Sequence, residues 1–270
     1  MYLSTGTLIL TGMIFLSCTN ANASVSILSA KECANMQTKG TITSSNPVSC
    51  DRLRRVNFRH VNFNGVIKTG NIVVLDFVAE QVEGIFSELF KQRFPIHKAV
   101  VIEHYQGNDE ASMVDNNTSD FNGRSMTGGA SWSKHAYGVA IDINPLQNPY
   151  ISYPEEGSAN ILPPSSSKFF VNRNNNRPNK KQREGMAENV IDVFARHGFI
   201  IWGGDWDTPI DYQHFEVGSY NFIHKLINQS PDSARQMFNQ YVNHYNDCIS
   251  KHIQKDYASK RTICINEVRQ

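Results

Sequence analysis

From Phe77 onward the apolar positions Phe77, Val78, Val82, Ile85, Phe86, Leu89 and Phe90 recur at separations of three and four. That spacing gathers them on one face, so residues 76–92 read as an amphipathic helix that must stop before Pro95. The apolar run Ile72 to Leu75, bounded by Asn71 and Asp76, reads as a strand feeding this helix, and Ile96 to His104 as a strand after it. Val139, Ile141 and Ile143 alternate with Ala140, Asp142 and Asn144. This is the period of a strand, and it turns Asp142 to the face opposite three apolar side chains. Met186, Val190, Ile191 and Phe194 mark a second helix ended by Gly198, and Phe199 to Trp202 and Tyr212 to Val217 read as further strands. Beyond Gly218 the pattern is helical: Ser230 can cap a helix with Pro231 at its first position, and Met237, Phe238, Tyr241, Val242 and Tyr245 form its apolar stripe.

Two stretches lack periodicity. Residues 105–131 are rich in Asn, Asp, Ser and Gly, and a loop of that length is either functional or disordered. Residues 171–183 carry five asparagines, Pro178 and several cations, the composition of a solvated loop. The expected fold is α+β: an antiparallel sheet with helices on one side, polar residues of one sheet face forming a site, and a helical C-terminal extension.

The first 30 residues carry no charged side chain, and Leu8 to Leu16 form an apolar run followed by Ala21-Asn22-Ala23. Residues 1–23 therefore read as a signal peptide cut after Ala23, which places the mature chain in the periplasm or outside the cell. The run falls short of the roughly 20 residues of a spanning helix, so no membrane span is expected in the mature chain. Acylation at Cys18 is the weaker alternative, because Phe15 and Ser17 fit a lipobox poorly. Cleavage leaves Cys33, Cys50, Cys248 and Cys264, an even number in an exported chain, so disulfides are expected. Local closure favours Cys33 with Cys50 and Cys248 with Cys264. The organisation expected is a signal peptide at 1–23, an N-terminal extension at 24–50, a globular domain at 51–218 and the helical extension at 219–270.

The 270 residues include 26 Lys or Arg and 25 Asp or Glu, a net charge of +1. Such balance argues against a dedicated nucleic-acid binder, which needs a large basic excess. No G-x-S-x-G occurs, and the mature cysteines sit in the extensions, so serine and cysteine nucleophiles are disfavoured. What remains is a set of metal-binding side chains. His135 and Asp142 are seven residues apart, and an odd separation would put them on opposite faces of one strand. His135 must then lie on the loop before the strand, with Gly138 providing the bend. His214 supplies a third donor, and Asp211, three residues earlier, can act as a base if the chain turns after Pro209. Glu216 is the rival base.

Ser133 to Asp142 matches S-x-H-x-x-G-x-A-x-D, and with Asp211-x-x-His214 it resembles the zinc peptidases of the D-alanyl-D-alanine carboxypeptidase and L-alanyl-D-glutamate endopeptidase family. That family shares its metal-site architecture with hedgehog amino-terminal domains. The stretches Asn116 to Arg124, Asp142 to Tyr150 and Trp202 to Trp206 also resemble one branch of it, over about residues 63–217 in all. In that branch a Cys commonly precedes the arginine, where this chain has Gly123. The resemblance implies an exported metallopeptidase, a hydrolase of peptidoglycan stem peptides in the cell wall, with a metal-bound water as nucleophile. It implies Zn2+ ligation by His135, Asp142 and His214, general-base action by Asp211, and polarisation of the scissile carbonyl or substrate binding by Arg124. Ser133 is expected to support the ligands by hydrogen bonding rather than to attack. The alternative that the hedgehog likeness admits is a zinc-stabilised binding domain without turnover; a hydrolase of non-wall peptides is a third.

Overall fold

The computed structural model describes Met1 and residues 22–126 and 129–269. Most of the segment expected to be a signal peptide, including Cys18, lies outside the described residues.

The N-terminal extension is woven into the first sheet. Strand β1 (Ala23–Ile27) pairs antiparallel with β2 (Leu53–Val61), Ala23 opposite Phe58. Between them runs α1 (Ala30–Thr38), started by a capping box in which Ser29 Oγ accepts from the Glu32 amide and the Glu32 carboxylate accepts from the Ser29 amide at 2.6 Å. The Cys33–Cys50 disulfide closes this segment. β2 pairs in turn with β3 (Ile67–Leu75), completing the order β1-β2-β3.

A short 3-10 turn at Asp76–Val78 leads into α2 (Ala79–Lys91), so the α-helix proper starts three residues later than the periodicity suggests. Its face Val82, Ile85, Phe86 and Leu89 is fully buried, and the Phe86 ring stacks on Phe58 of β2 at 3.7 Å between centroids. Burial of each such side chain stabilises by roughly 1.5–3 kcal/mol.

No strand forms at Ile96 to His104. The segment bends at His97 and has no continuous neighbour, only bridges at Pro95 and Lys98. The side chain of Asn117 substitutes for a partner strand: its Oδ1 accepts from the Val100 amide at 2.9 Å and its Nδ2 donates to the Val100 carbonyl at 3.0 Å. Residues Ile102–Tyr105 then turn as a 3-10 helix. The aperiodic stretch that follows contains α3 (Asp109–Val114) and a buried polar run from Asn116 to Asn122.

The remaining strands form two more small sheets. β4 (Ala140–Asp142), β5 (Tyr150–Ser152) and β6 (Asn160–Leu162) precede helix α4 (Ile191–Arg196), and β7 (Ile201–Trp202), β8 (Ile210–Asp211) and β9 (His214–Glu216) follow it. They assemble as β4-β9-β7 and β6-β5-β8, all antiparallel. Among the described residues the expected single sheet is thus three sheets of three strands. The expected strand Tyr212 to Val217 does not begin at Tyr212, whose amide bonds Pro149 O beside β5, whereas Gln213 O accepts from Ile143 beyond β4. The chain changes sheets between these two residues.

Three helices finish the chain: α5 (Tyr220–Ile227), α6 (Pro231–Lys251) and α7 (Tyr257–Val268). Ser230 and Pro231 start α6 as expected, and Cys248–Cys264 ties α6 to α7. Phe238 of α6 packs on Phe77, and Arg261 of α7 bonds Ile200 O at 3.1 Å and Asp205 at 2.5 Å. Both extensions share one apolar cluster with α2, β4 and β9. Among the described residues no helix is long and apolar enough to cross a membrane.

Candidate active site

His135 sits on a 3-10 turn, Lys134–Tyr137, immediately before β4. Ser133 caps this turn, its Oγ accepting from the His135 amide at 3.3 Å. Gly138 ends it with φ +69°, and a Cβ there would lie 2.7 Å from the Leu75 amide nitrogen. Only glycine serves both demands, which accounts for the bend inferred from the spacing. Asp142 then follows on β4, directly opposite His214 in the β4–β9 register, and its backbone also exchanges two hydrogen bonds with Ser119.

Turn and register bring three donors together. His214 Nδ1 lies 2.9 Å from Asp142 Oδ1, His135 Nε2 lies 3.2 Å from Asp142 Oδ2, and the two ring nitrogens are 3.2 Å apart. The far side of each imidazole is occupied. His135 Nδ1 donates to the Asp120 carbonyl at 2.5 Å, and His214 Nε2 donates to Glu216 Oε2 at 2.9 Å. Those acceptors select the tautomers of the neutral rings, in which His135 Nε2 and His214 Nδ1, the atoms facing Asp142, are the ones free to ligate. Two imidazoles and one carboxylate are a donor set suited to zinc, and no fourth His, Cys, Asp or Glu joins the cluster among the described residues.

The charges in this cluster are strongly coupled. Burial alone would raise the Asp142 carboxyl, but His135 and His214 outweigh it and hold it far below the usual carboxylate range. Burial opposes a proton on His214, yet the hydrogen bonds to Asp142 and Glu216 carry it up to about 10. Glu216 is held down by His214 and Lys134 against the effect of burial, while Lys134 is lowered by its burial.

Asp211, at the end of β8, faces the same cleft. Burial, with the charge of Asp142 adding to it, pushes its carboxyl up to about 7. Its Oδ1 is buried without a hydrogen-bond partner. The Trp202-Gly203-Gly204 step explains how β8 comes so close: a Cβ on Gly203 would lie 2.5 Å from the Asp211 carbonyl oxygen. Arg124 also lines the cleft, paired with Asp109 of α3 at 2.7 Å, while its Nε is buried and unpartnered. The cleft holds about 430 Å3 and is walled further by Met113, Trp206 and Tyr220. Trp206 lies against the His214 ring at 5.4 Å between centroids, and Tyr220 comes from α5 of the C-terminal extension.

All the residues expected at the site therefore converge on one cleft, with Ser133 beneath His135. Gly123, where the resembling branch carries Cys, meets the N-terminal extension: its amide bonds Thr41 O at 3.0 Å, and a Cβ there would collide with Thr41 and Asn46. Glu216 is not free to act as a base, because Oε2 holds His214 and Oε1 holds Lys134 at 2.7 Å. Sequence reasoning missed Asp109, which carries no local signal, and the engagement of Lys134 with Glu216. His104, His197 and His224 pair instead with Tyr105, Gln81 and Tyr137. Both cysteines expected to pair in each extension do so, and Cys248 and Cys264, though beside His252, are thereby unavailable as ligands.

Such a centre, three convergent donors with a buried carboxylate that keeps one oxygen unpartnered in the same cleft, has the make-up of a metal-dependent hydrolase. A family model described as D-alanyl-D-alanine carboxypeptidase matches residues 127–217, about a third of the chain, and contains all three donors and Asp211. The match supports a peptidase of that metal-dependent family and points to peptidoglycan-related activity. No curated protein and no solved structure matches the chain.

Proposed function

We propose that this chain is an exported zinc metallopeptidase that hydrolyses a peptide bond in peptidoglycan stem peptides, at D-Ala-D-Ala as a carboxypeptidase or at L-Ala-D-Glu as an endopeptidase. The observation that carries the reading is Asp211 Oδ1, buried and unpartnered in the cleft where His135, Asp142 and His214 converge with no fourth His, Cys, Asp or Glu donor among the described residues. A structural metal is ordinarily closed by four protein ligands, whereas a hydrolytic one keeps a position open.

His135 Nε2, His214 Nδ1 and the Asp142 carboxylate would hold the ion. Zinc, when bound, supplies a Lewis acid that brings the pKa of coordinated water toward about 7. Asp211 takes the proton of the attacking water and returns it to the leaving amine. Arg124 places positive charge beside the carbonyl oxygen as it becomes anionic, a contribution of about 3 kcal/mol by analogy with oxyanion-hole donors. Ser133 and the Asp120 carbonyl orient His135. Two disulfides, and the apolar run Leu8 to Leu16 followed by Ala21-Asn22-Ala23, support export.

Mass spectrometry of purified peptidoglycan and defined stem peptides, incubated with the zinc-loaded protein with and without a chelator, tests this. Chelator-sensitive loss of one D-Ala identifies a carboxypeptidase, and cleavage between L-Ala and D-Glu an endopeptidase. Stoichiometric zinc with every stem intact would overturn the reading in favour of a zinc-stabilised binding domain.

A further inference from the structure

Lys134 is a buried cation one residue before His135, with its side chain only 6% exposed. Its ammonium has three protons and three acceptors: Glu216 Oε1 at 2.7 Å, Val217 O at 2.9 Å and Gly218 O. It also lies 5.2 Å from the centre of the Tyr220 ring. Glu216, two residues after His214, spends its other oxygen on His214 Nε2 at 2.9 Å. A continuous chain of hydrogen bonds therefore runs from the residue beside one candidate ligand to the imidazole of another, linking two motifs about 80 residues apart in sequence.

We infer that Glu216 and Lys134 are positioning residues of the metal centre. Glu216 fixes the His214 tautomer and turns Nδ1 toward Asp142, and Lys134 holds Glu216 so that its second oxygen meets the ring. The inference rests on the reading of His135, Asp142 and His214 as metal ligands and is independent of the substrate. A buried Lys–Glu pair standing alone would be weak ground, since burying both charges can cost as much as their attraction returns. Here Glu216 has a second partner, His214, that the metal reading needs in one tautomer, and an outer carboxylate of this kind sharpens ligand orientation and basicity.

Glutamate is required by a count of acceptors. Glutamine in its place has one oxygen for two donors. Serving Lys134 would turn its NH2 toward His214 Nε2 and favour the wrong tautomer, and serving His214 would turn NH2 toward the ammonium.

The test is zinc affinity of the chelator-stripped, disulfide-intact full chain, measured by competition with a chromophoric chelator, with circular dichroism as the check on folding. Glu216→Ala should weaken zinc binding by about 10–100-fold. Glu216→Gln should weaken it about 10-fold, and adding Lys134→Met to Glu216→Gln should recover most of that loss, because the single amide oxygen is then free for His214. An isolated structural ion pair would restore thermal stability in the double variant without moving zinc affinity. Folded Glu216→Ala that binds zinc like the wild type overturns the inference; should that variant not fold, Glu216→Gln binding like the wild type does so. Wild-type protein that takes up no zinc would instead remove the underlying metal reading.

Discussion

His135, Asp142 and His214 are each held from two directions, whereas Asp211 and Arg124 keep part of their hydrogen-bonding capacity unused. The two imidazoles have their outer nitrogens fixed by Asp120 O and Glu216, and Asp142 is locked between His214 across the β4–β9 ladder and Ser119 on its other edge. Asp211, by contrast, has Oδ1 buried with no partner, and Arg124 has an unpartnered Nε and a single carboxylate companion, Asp109. The difference separates groups that must stand still from groups that must exchange partners. Donors orient an ion best when their own rotation is restricted, and a base or an electrostatic partner needs unspent capacity to take up water and substrate.

The sharpest way to break this comparison is to substitute one residue from each set. His214→Ala should lose both zinc and turnover, the zinc measured by atomic emission after dialysis and the turnover with stem peptides. Asp211→Ala should keep stoichiometric zinc while its rate falls about 10^2–10^4-fold. Arg124→Ala should also keep zinc and lose about 10^2–10^3-fold, mainly in kcat if the guanidinium acts in the transition state and in KM if it only binds substrate.

A smaller effect follows from protonation. His214 in the zinc-free site holds its proton up to about pH 10, and zinc requires the neutral ring. Zinc uptake at pH 8 should therefore release about one proton, and apparent affinity should rise with pH until about 10. Calorimetry in two buffers of different ionisation enthalpy reads this directly; a proton count of zero would contradict it. The sign for the zinc-free fold is the reverse. The His214 pKa is raised on folding, so its contribution to stability is full below the ordinary pKa of 6.5 and is lost as pH rises through about 10. The smallest expected effect is that of Ser133→Ala. Loss of the turn's cap should cost about 0.5–1 kcal/mol in chemical denaturation and leave zinc bound.

The site was more legible than the sheets around it. Period-two alternation placed Asp142, the odd spacing forced His135 onto a turn, and Gly138 supplied its positive φ. These are local constraints, written within ten residues. The division into three sheets depends on where Tyr212 and Gln213 send their backbone bonds, to Pro149 and Ile143, and no pattern within Tyr212 to Val217 encodes that. The stretch after Pro95 has strand-like residues but bends at His97 and finds the side-chain amide of Asn117 instead of a strand. Helix α1 was overlooked although Ser29 and Glu32 spell a capping box, because the polar composition of its surroundings masked a signal that was present. Glu216 was read as either base or strand residue, and only its two partners, 82 residues away at Lys134 and two residues away at His214, assign its place.

The most direct measurement is a zinc titration of chelator-stripped protein while stem-peptide cleavage is followed, run side by side for the wild type and Asp211→Ala. The expected result is that wild-type activity rises in proportion to zinc and saturates at one equivalent per chain, while Asp211→Ala takes up the same equivalent and stays about 10^2–10^4-fold slower. Cleavage by the zinc-free protein, or wild-type turnover from zinc-loaded Asp211→Ala, would contradict the account.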